Sequence, residues 1–348
     1  MAQGEGDHRG GGRANRRFQA PRGHRLGPKG FPGTGTGSDS GVLQGPQGAL
    51  LVRTPGPRIV LLGAGGLLGS DCVSALAGLG ELIPLAHGDL ELTDQARVRS
   101  LLQELRPATV VNCAGYTDVD GCEARVDWAH SVNALGPGCL AQLTRELGAH
   151  ILHISTDYVF DGNRPLPHGY TEEDPASPRN VYGKSKWEGE ELVRRANPDH
   201  LILRTGWLYG RHGRCFPRAI LAQALKGSAL KVVADQFGSP TWSWTLAVQI
   251  RTLLEAGVRG TVHATAHGHC NWFEFALRFL ELMGIRVEVL PCTTADYPRP
   301  ASRPPNSILE KRRLLQLGLD LMRDWAEDLE QFVRLHGEAL IGELRGAA

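Results

Sequence analysis

IVLLGAGGLLG, the stretch at residues 59–69, decides the fold of this chain. Its first four residues are apolar and suit a short buried strand, and a helical pattern follows the glycines. Gly63, Gly66 and Gly69 keep the spacing Gly-x-x-Gly-x-x-Gly, which lets a pyrophosphate approach backbone amides at the N-terminus of a helix. Because strand, loop and helix follow in this order, the stretch predicts a dinucleotide-binding unit.

The alternation of strand and helix continues along the chain. Further apolar strands are predicted at residues 82–86, 109–111, 151–154 and 201–204, and helical patterns separate them. Such alternation produces a parallel sheet with helices on both faces. The predicted fold is α/β, a doubly wound, Rossmann-like parallel sheet.

Residues 1–57 differ in composition from the rest. The first 50 positions hold 14 of the 44 glycines, together with many prolines and arginines. Such a segment cannot bury a core, and it lacks the pattern of a transit or signal peptide. We predict a disordered tail at 1–57, or an over-extended start of translation. A nucleotide-binding domain at 58–210 and a mainly substrate-binding lobe with C-terminal helices at 211–348 follow it.

Charge and cysteine content exclude several classes of function. A net charge of +1 argues against nucleic acid and anionic membranes as partners. The seven cysteines form no Cys-x-x-Cys pair, which argues against a disulfide framework or a structural zinc site. No apolar run reaches the roughly 18 residues of a membrane helix. We therefore expect a cytoplasmic protein.

A group of chemically active residues is predicted within residues 153–190. The strand at 151–154 places Thr156 at its carboxyl end, where open α/β sheets bind ligands. Tyr182 and Lys186 are four residues apart among good helix formers, so both lie on one helical face. A nearby ammonium lowers the pKa of a phenol. Such a tyrosine can protonate a carbonyl oxygen while hydride arrives at its carbon.

The loops after the second and third strands predict further cofactor contacts. His87, Asp89 and Glu91 follow the second strand, where an acid favours NADH by binding a ribose hydroxyl and a basic group favours NADPH. Since His87 is ambiguous, the choice stays open. The loop NCAGYT at residues 112–117 has small side chains that leave room for a cofactor.

A tyrosine and a lysine at this spacing also occur in helices where one packs and the other is solvated, so context must decide. Together with the glycine motif, Thr156, Tyr182 and Lys186 resemble the extended, nucleotide-sugar-modifying branch of the short-chain dehydrogenase/reductase superfamily. Further motifs resemble the dTDP-4-dehydrorhamnose reductase family, over about residues 58–335. These motifs are STDYVFDG at 155–162, RTGWLYG at 204–210, DQFGSPT at 235–241 and RPPNS at 303–307.

The resemblance implies reduction of the C4 keto group of dTDP-4-keto-L-rhamnose to dTDP-L-rhamnose with NADPH or NADH. Tyr182 would act as proton donor, Lys186 would lower its pKa and bind the nicotinamide ribose, and Thr156 would orient the carbonyl. Together with the glycine motif, the resemblance assigns the cofactor to Gly63, Gly65, Gly66, Leu67, Leu68, Gly69, Glu91, Leu92, Asn112, Ala114, Gly115, Thr117, Tyr182 and Lys186. It assigns the substrate to Val119, Asp120, Thr156, Asp157, Tyr158 and Trp207.

Several alternatives stay open. Some family members use Mg²⁺ at a dimer contact, but the acids here match that pattern insecurely, so metal and homodimer are both undecided. His263, His267 and His269 fit no zinc spacing and are expected at the surface. A related nucleotide-sugar 4-keto reductase or epimerase is the nearest other function. A non-catalytic subunit resembling methionine adenosyltransferase β is the rival from another class, and the motif at residues 235–241 argues against it.

Overall fold

The structure is a computed structural model and describes residues 56–346. The predicted tail therefore lies outside the described residues, except for its last two positions. In chain order the elements are β1 (Arg58–Leu62), α1 (Leu67–Ala75), β2 (Glu81–Leu85), α2 (Gln95–Leu105), β3 (Thr109–Asn112), α3 (Val119–Ala124), α4 (Val126–His130), a π-helix (Ser131–Leu135), α5 (Gly136–Leu147), β4 (His150–Thr156), a 3₁₀ turn (Asp157–Val159), α6 (Val181–Ala196) and β5 (His200–Thr205). They continue with β6 (Leu208–Tyr209), α7 (Phe216–Ala224), β7 (Leu230–Val233), β8 (Phe237–Gly238), β9 (Thr241–Trp242), α8 (Ser243–Glu255), β10 (Gly260–His263), β11 (Cys270–Asn271), α9 (Trp272–Leu282), β12 (Val289–Cys292), α10 (Arg312–Leu317) and α11 (Trp325–Gly346).

Six strands form one parallel sheet in the order β10-β5-β4-β3-β1-β2. The order reverses between β1 and β3, and the crevice at this position is where doubly wound sheets bind ligands. The predicted α/β, doubly wound parallel sheet is confirmed.

Side chains alternate between the two faces of the sheet, and each face has its own core. On one face, Leu61 and Leu203 pack with α1 and α8. On the other, Val60 and Ile202 pack with α2, α5 and α6. Because these strands are covered on both sides, they consist of continuous apolar runs. This explains why the strands could be recognised in the sequence.

The C-terminal part of the chain contributes both to a separate aromatic core and to the main sheet. Tyr209, Phe275 and Phe332 are buried together between α7, α9 and α11. Earlier along the chain, α8 packs against α1 and β10 adds a sixth strand beside β5. The predicted division at residue 210 stays a prediction. However, α8 and β10 follow residue 210 in the chain and nevertheless belong to the main sheet and its core.

Within residues 56–346, no helix combines the length and apolar character that crossing a bilayer requires.

Candidate active site

The glycine loop joins β1 to α1 through a close backbone contact. Gly63 has a φ of +78°, a conformation that glycine adopts without strain. A Cβ on Gly69 would lie 2.0 Å from the carbonyl oxygen of Gly63, so only glycine lets the helix start this near the strand. Gly66 stands at the N-cap of α1 and offers no capping side chain. The first amides of α1 are thus available to an anion such as a pyrophosphate.

Two cavities meet at this loop. The larger has a volume of about 950 Å³ and the smaller about 490 Å³. Both are lined by Gly66, Cys113, Ala114 and Gly115. They therefore meet where the glycine loop passes the loop after β3.

Most of the predicted site residues line these cavities. Those in the larger cavity are Gly66, Leu67, Leu68, Ala114, Gly115, Thr117, Val119, Asp120, Thr156, Asp157, Tyr158, Tyr182, Lys186 and Trp207. Those in the smaller one are Gly63, Gly65, Gly66, Glu91, Leu92, Ala114 and Gly115. Gly69 and Asn112 line neither cavity; the first packs against Gly63 and the second lies behind the site. Whether each residue binds a ligand stays a prediction.

Tyr182 and Lys186 occupy the first turns of α6, as the spacing predicts. The helix begins at Asn180, whose Oδ1 accepts a hydrogen bond of 2.7 Å from the N–H of Gly183, a typical N-cap. Burial raises the pKa of Tyr182, a hydrogen bond with Thr156 opposes the rise, and the charge of Asp157 adds to it. In the free protein the phenol is therefore protonated at neutral pH.

The hydrogen-bond partners of Lys186 are a backbone carbonyl group and a histidine, and not the phenol of Tyr182 whose pKa it was expected to lower. Its Nζ donates to the carbonyl oxygen of Ile154 at 2.6 Å and lies 3.3 Å from Nε2 of His153. Burial lowers the pKa of Lys186 to about 8. The expectation of a lowered pKa for Tyr182 is wrong for the free protein, because burial of the phenol raises its pKa.

Thr156 is held by its neighbours in the chain. Its Oγ1 donates to Oδ1 of Asp157 at 2.9 Å and accepts from the N–H of Tyr158 at 3.1 Å. Burial raises the pKa of Asp157 to about 6. A Cβ on Gly206 would lie 2.5 Å from this carboxyl group, so the glycine of the RTGWLYG motif makes room for it. Asp157 therefore positions the hydroxyl group of Thr156. Contact of Asp157 with the substrate stays a prediction.

Trp207 adopts a strained backbone conformation beside the larger cavity. Its φ of +51° is uncommon for a bulky residue and marks a position fixed by its surroundings. The indole stacks on Trp272 with 3.5 Å between ring centroids, and its Nε1 donates to Oγ of Ser307 at 3.0 Å. One face of the ring is therefore covered by a second tryptophan, which sequence reasoning did not identify.

Charged side chains contribute to the lining of the larger cavity. Oδ1 of Asp120 accepts from Nη1 of Arg303 at 2.8 Å; burial alone would raise the pKa of Asp120, but this contact makes it lower than usual. Arg214, Lys231 and Arg299 also line the cavity. Sequence reasoning missed these three, since they are scattered over 86 positions without a motif.

The smaller cavity contains the predicted ribose-reading segment. Nε2 of His87 lies 3.3 Å from Oε2 of Glu91, and both residues line the cavity with Trp128. Asp89 turns back instead, accepting from the N–H of Ala86 at 2.8 Å.

Asn133 fixes the loop after β3. It lies fully buried in the π-helix. Its Oδ1 accepts from the N–H of Tyr116 at 2.8 Å, and its Nδ2 donates to the carbonyl oxygen of Tyr116 and to Oγ of Ser185. The asparagine thereby ties this loop to α6.

The three histidines do not form a metal site. His263 is buried and near the carbonyl oxygen of Glu310, so its expected surface position is wrong, since it lies on β10 of the sheet. His267 pairs with Asp320 at 3.1 Å. Among the described residues no group of three or more His, Cys, Asp or Glu side chains has an arrangement that could hold a metal ion.

Comparison with known proteins shows the family of the chain. The family described as the RmlD substrate binding domain matches residues 57–336. The chain belongs to this family.

Its relatives include reductases of several dTDP-sugars. A dTDP-4-dehydrorhamnose reductase of Streptomyces griseus is 40% identical over 82% of this chain and 96% of its own length. A dTDP-4-keto-6-deoxy-D-glucose reductase of Streptomyces niveus is 37% identical over 79% of this chain and 96% of its own length. A crystal structure of dTDP-4-dehydrorhamnose reductase from Bacillus anthracis, in complex with NADP, has a TM-score of 0.77 at 37% identity and covers 80% of this chain and 98% of its own. The resemblance to the dTDP-4-dehydrorhamnose reductases is thereby confirmed.

Proposed function

We propose that this protein is a dTDP-4-dehydrorhamnose reductase, which reduces the C4 keto group of dTDP-4-keto-L-rhamnose to dTDP-L-rhamnose with NADPH, or with NADH. The observation that carries the proposal is the larger cavity, where the glycine loop, Thr156, Tyr182 and Lys186 meet. Family membership and the relatives' substrates support the choice of a dTDP-sugar.

The residues present fit a dinucleotide cofactor. The start of α1 offers backbone amides for a pyrophosphate. The glycine loop lies so close to α1 that a Cβ on Gly69 would clash with it. The smaller cavity, with Glu91 and Trp128 in its lining, suits an adenosine. When bound, the reduced nicotinamide supplies a hydride to the carbonyl carbon.

The chain's own residues supply the proton and the orientation. Tyr182 keeps its proton at neutral pH, because burial raises its pKa, and it would release that proton to the C4 oxygen as negative charge develops there. Thr156, fixed by Asp157, would orient the carbonyl. Lys186 would bind the nicotinamide ribose from the next turn of α6.

The basic side chains that line the larger cavity suit the nucleotide part of the substrate. Arg214, Lys231 and Arg299 line this cavity, and guanidinium and ammonium groups bind diphosphates through charge-assisted hydrogen bonds. Trp207 offers an apolar surface beside them for a deoxysugar. The charge balance therefore favours a sugar nucleotide over a free sugar.

The deciding experiment mixes the protein with dTDP-4-keto-L-rhamnose and NADPH and follows absorbance of the reduced cofactor. We expect consumption of NADPH and formation of dTDP-L-rhamnose. In parallel, dTDP-4-keto-6-deoxy-D-glucose tests the related 4-keto reductase. The contrary result is a protein that binds the cofactor, reduces neither sugar and binds a partner protein tightly. That result would favour the alternative of a non-catalytic subunit resembling methionine adenosyltransferase β.

Location and assembly extend the proposal. All seven cysteines are free, which fits the reducing cytosol. We place the reaction in the cytosol and propose a homodimer as the assembly. Whether the reaction requires Mg²⁺ stays open.

A further inference from the structure

A chain of hydrogen bonds runs behind the active site from the backbone of Ala114 to the catalytic lysine. The N–H of Ala114 donates to Oδ1 of Asn112 at 3.1 Å. Nδ2 of Asn112 lies 3.1 Å from Nδ1 of His153, and Nε2 of His153 lies 3.3 Å from Nζ of Lys186. Asn112 and His153 are register partners on the parallel strands β3 and β4, so their side chains leave the same face of the sheet. Asn112, His153 and Lys186 are all buried.

The direction of the chain follows from its first donor. A backbone N–H can only donate, so the amide oxygen of Asn112 faces Ala114 and the amide nitrogen faces His153. Nδ1 of His153 therefore accepts. Burial lowers the pKa of His153 well below its usual range, so the ring is neutral and carries a single N–H. That N–H is on Nε2 and points at Lys186.

This direction decides the charge of Lys186. An ammonium has donors only, so a charged lysine would set its N–H groups against the N–H of the imidazole. The opposite imidazole tautomer moves the conflict to Asn112, and a flipped amide moves it to Ala114. Only when Lys186 is an amine does each of the four contacts join one donor to one acceptor, because Lys186 then accepts from His153 and still donates to the carbonyl oxygen of Ile154 at 2.6 Å.

We propose that His153 is a positioning residue, which donates a hydrogen bond to Lys186 and holds it as an uncharged amine in the cofactor-free protein. This function of His153 goes beyond the proposed reaction and rests on it only for the catalytic role of Lys186. Lys186 would then become an ammonium only by taking a proton from solvent.

Other ionisable groups near Lys186 act in the opposite sense. Burial lowers the pKa of Lys186 to about 8, while Glu190 and Cys113 favour its charged form. Burial by itself therefore leaves most of Lys186 charged at pH 7, and the hydrogen bond from His153 has to lower the pKa further. The carboxylate of Glu190 is already engaged by Arg204 and Ser155. Arg204 is nearer to this carboxylate and neutralises much of its attraction for Lys186. The hydrogen bonds to Lys186 can therefore outweigh that attraction.

The first test is made on the free wild-type protein by nuclear magnetic resonance. The nitrogen shifts of the His153 ring distinguish its two tautomers, with Lys186→Arg assigning the lysine signal. The chain has six lysines, so a carbon label at their side-chain ends gives a titration that can be resolved. We expect the tautomer with hydrogen on Nε2 and a Lys186 side chain that is an uncharged amine at pH 7, where burial alone would leave it mostly charged; an ammonium at pH 7 would overturn the proposal. Hydrogen on Nδ1 would overturn the proposal.

The second test uses His153→Phe, which removes the donor and adds no charge. If the imidazole N–H opposes the ammonium, the titration of Lys186 moves up by about one pH unit. Lys311 is the internal reference, since it is also buried with a pKa lowered by burial. An unchanged or lower titration of Lys186 in the variant would also overturn the proposal. Because neither measurement needs the keto sugar, a failure of the proposed reaction is seen separately.

Discussion

Glu190 and Arg204 form an ion pair that is closed to solvent on every side. Nη2 of Arg204 donates to Oε2 of Glu190 at 2.8 Å, and its Nε donates to Oε1 at 2.9 Å. Ser155 donates to the same carboxylate at 2.5 Å. Since Glu190 follows Lys186 by one turn of α6 and Arg204 lies on β5, the pair fixes α6 to the sheet.

Loss of this pair should be costly. Glu190→Ala would leave the guanidinium of Arg204 buried and unpaired, so we expect a loss of about 3–5 kcal/mol in the free energy of unfolding. Glu191→Ala is the control, because that side chain is partly exposed and pairs at the surface, where about 1 kcal/mol or less is expected. Urea denaturation measures both; equal effects would show that the buried pair adds nothing.

Tyr182→Phe tests the proton donor, since it removes only the hydroxyl. We expect kcat to fall by about 10²–10⁴, with the affinity for NADPH near that of the wild type. Steady-state kinetics and a calorimetric titration check the two quantities. A variant that reduces the keto sugar at the normal rate would remove Tyr182 from the mechanism.

Lys186→Met tests the second residue of the motif. Because Lys186 lies in the larger cavity, we expect weaker NADPH binding and slower turnover together. Lys184→Met is a matched control on the same turn of α6, as that lysine is exposed, and it should behave as the wild type. Identical cofactor affinities in the two variants would contradict a ribose-binding lysine.

Cofactor preference should respond to the pair at the mouth of the smaller cavity. His87→Arg gives a 2′-phosphate a charged partner, and Glu91→Gln prevents the new arginine from pairing with Glu91. The double variant should shift the ratio of kcat/KM for NADPH over NADH by roughly 10–150-fold, which corresponds to about 1.5–3 kcal/mol. The single variant His87→Arg should shift it less. An unchanged ratio in both would place the selectivity elsewhere.

Asp328 predicts a pH dependence of stability. Burial raises the pKa of this carboxyl group to about 6, above its value in an unfolded chain of about 3.9. The folded state therefore binds the proton more tightly, so stability is lost as pH rises from about 4 to about 6. Asp328→Asn should be more stable than the wild type at pH 7.5 by about 1–3 kcal/mol. The two should converge near pH 4. Thermal unfolding across this range checks the difference, and parallel curves would refute it.

The local patterns predicted the sheet, the glycine loop and the helix that carries Tyr182 and Lys186, because each depends on neighbours in the chain. Contacts between distant segments could not be predicted this way. The approach of His153 to Asn112 follows from the register of two strands, and the stacking of Trp272 on Trp207 joins residues 65 positions apart. The direction of the pKa shift of Tyr182 was also beyond the pattern, since burial by the surrounding loops decides it.

The return of β10 to the sheet has a consequence for any attempt to divide the protein. A fragment that stops at residue 210 would expose the edge of β5, whose partner along Leu201–Arg204 is β10, and would uncover the apolar face of α1 against which α8 packs. Unpaired strand edges and bare apolar faces promote aggregation. Residues 58–210 should therefore be produced only together with the residues that follow them, at least as far as His263.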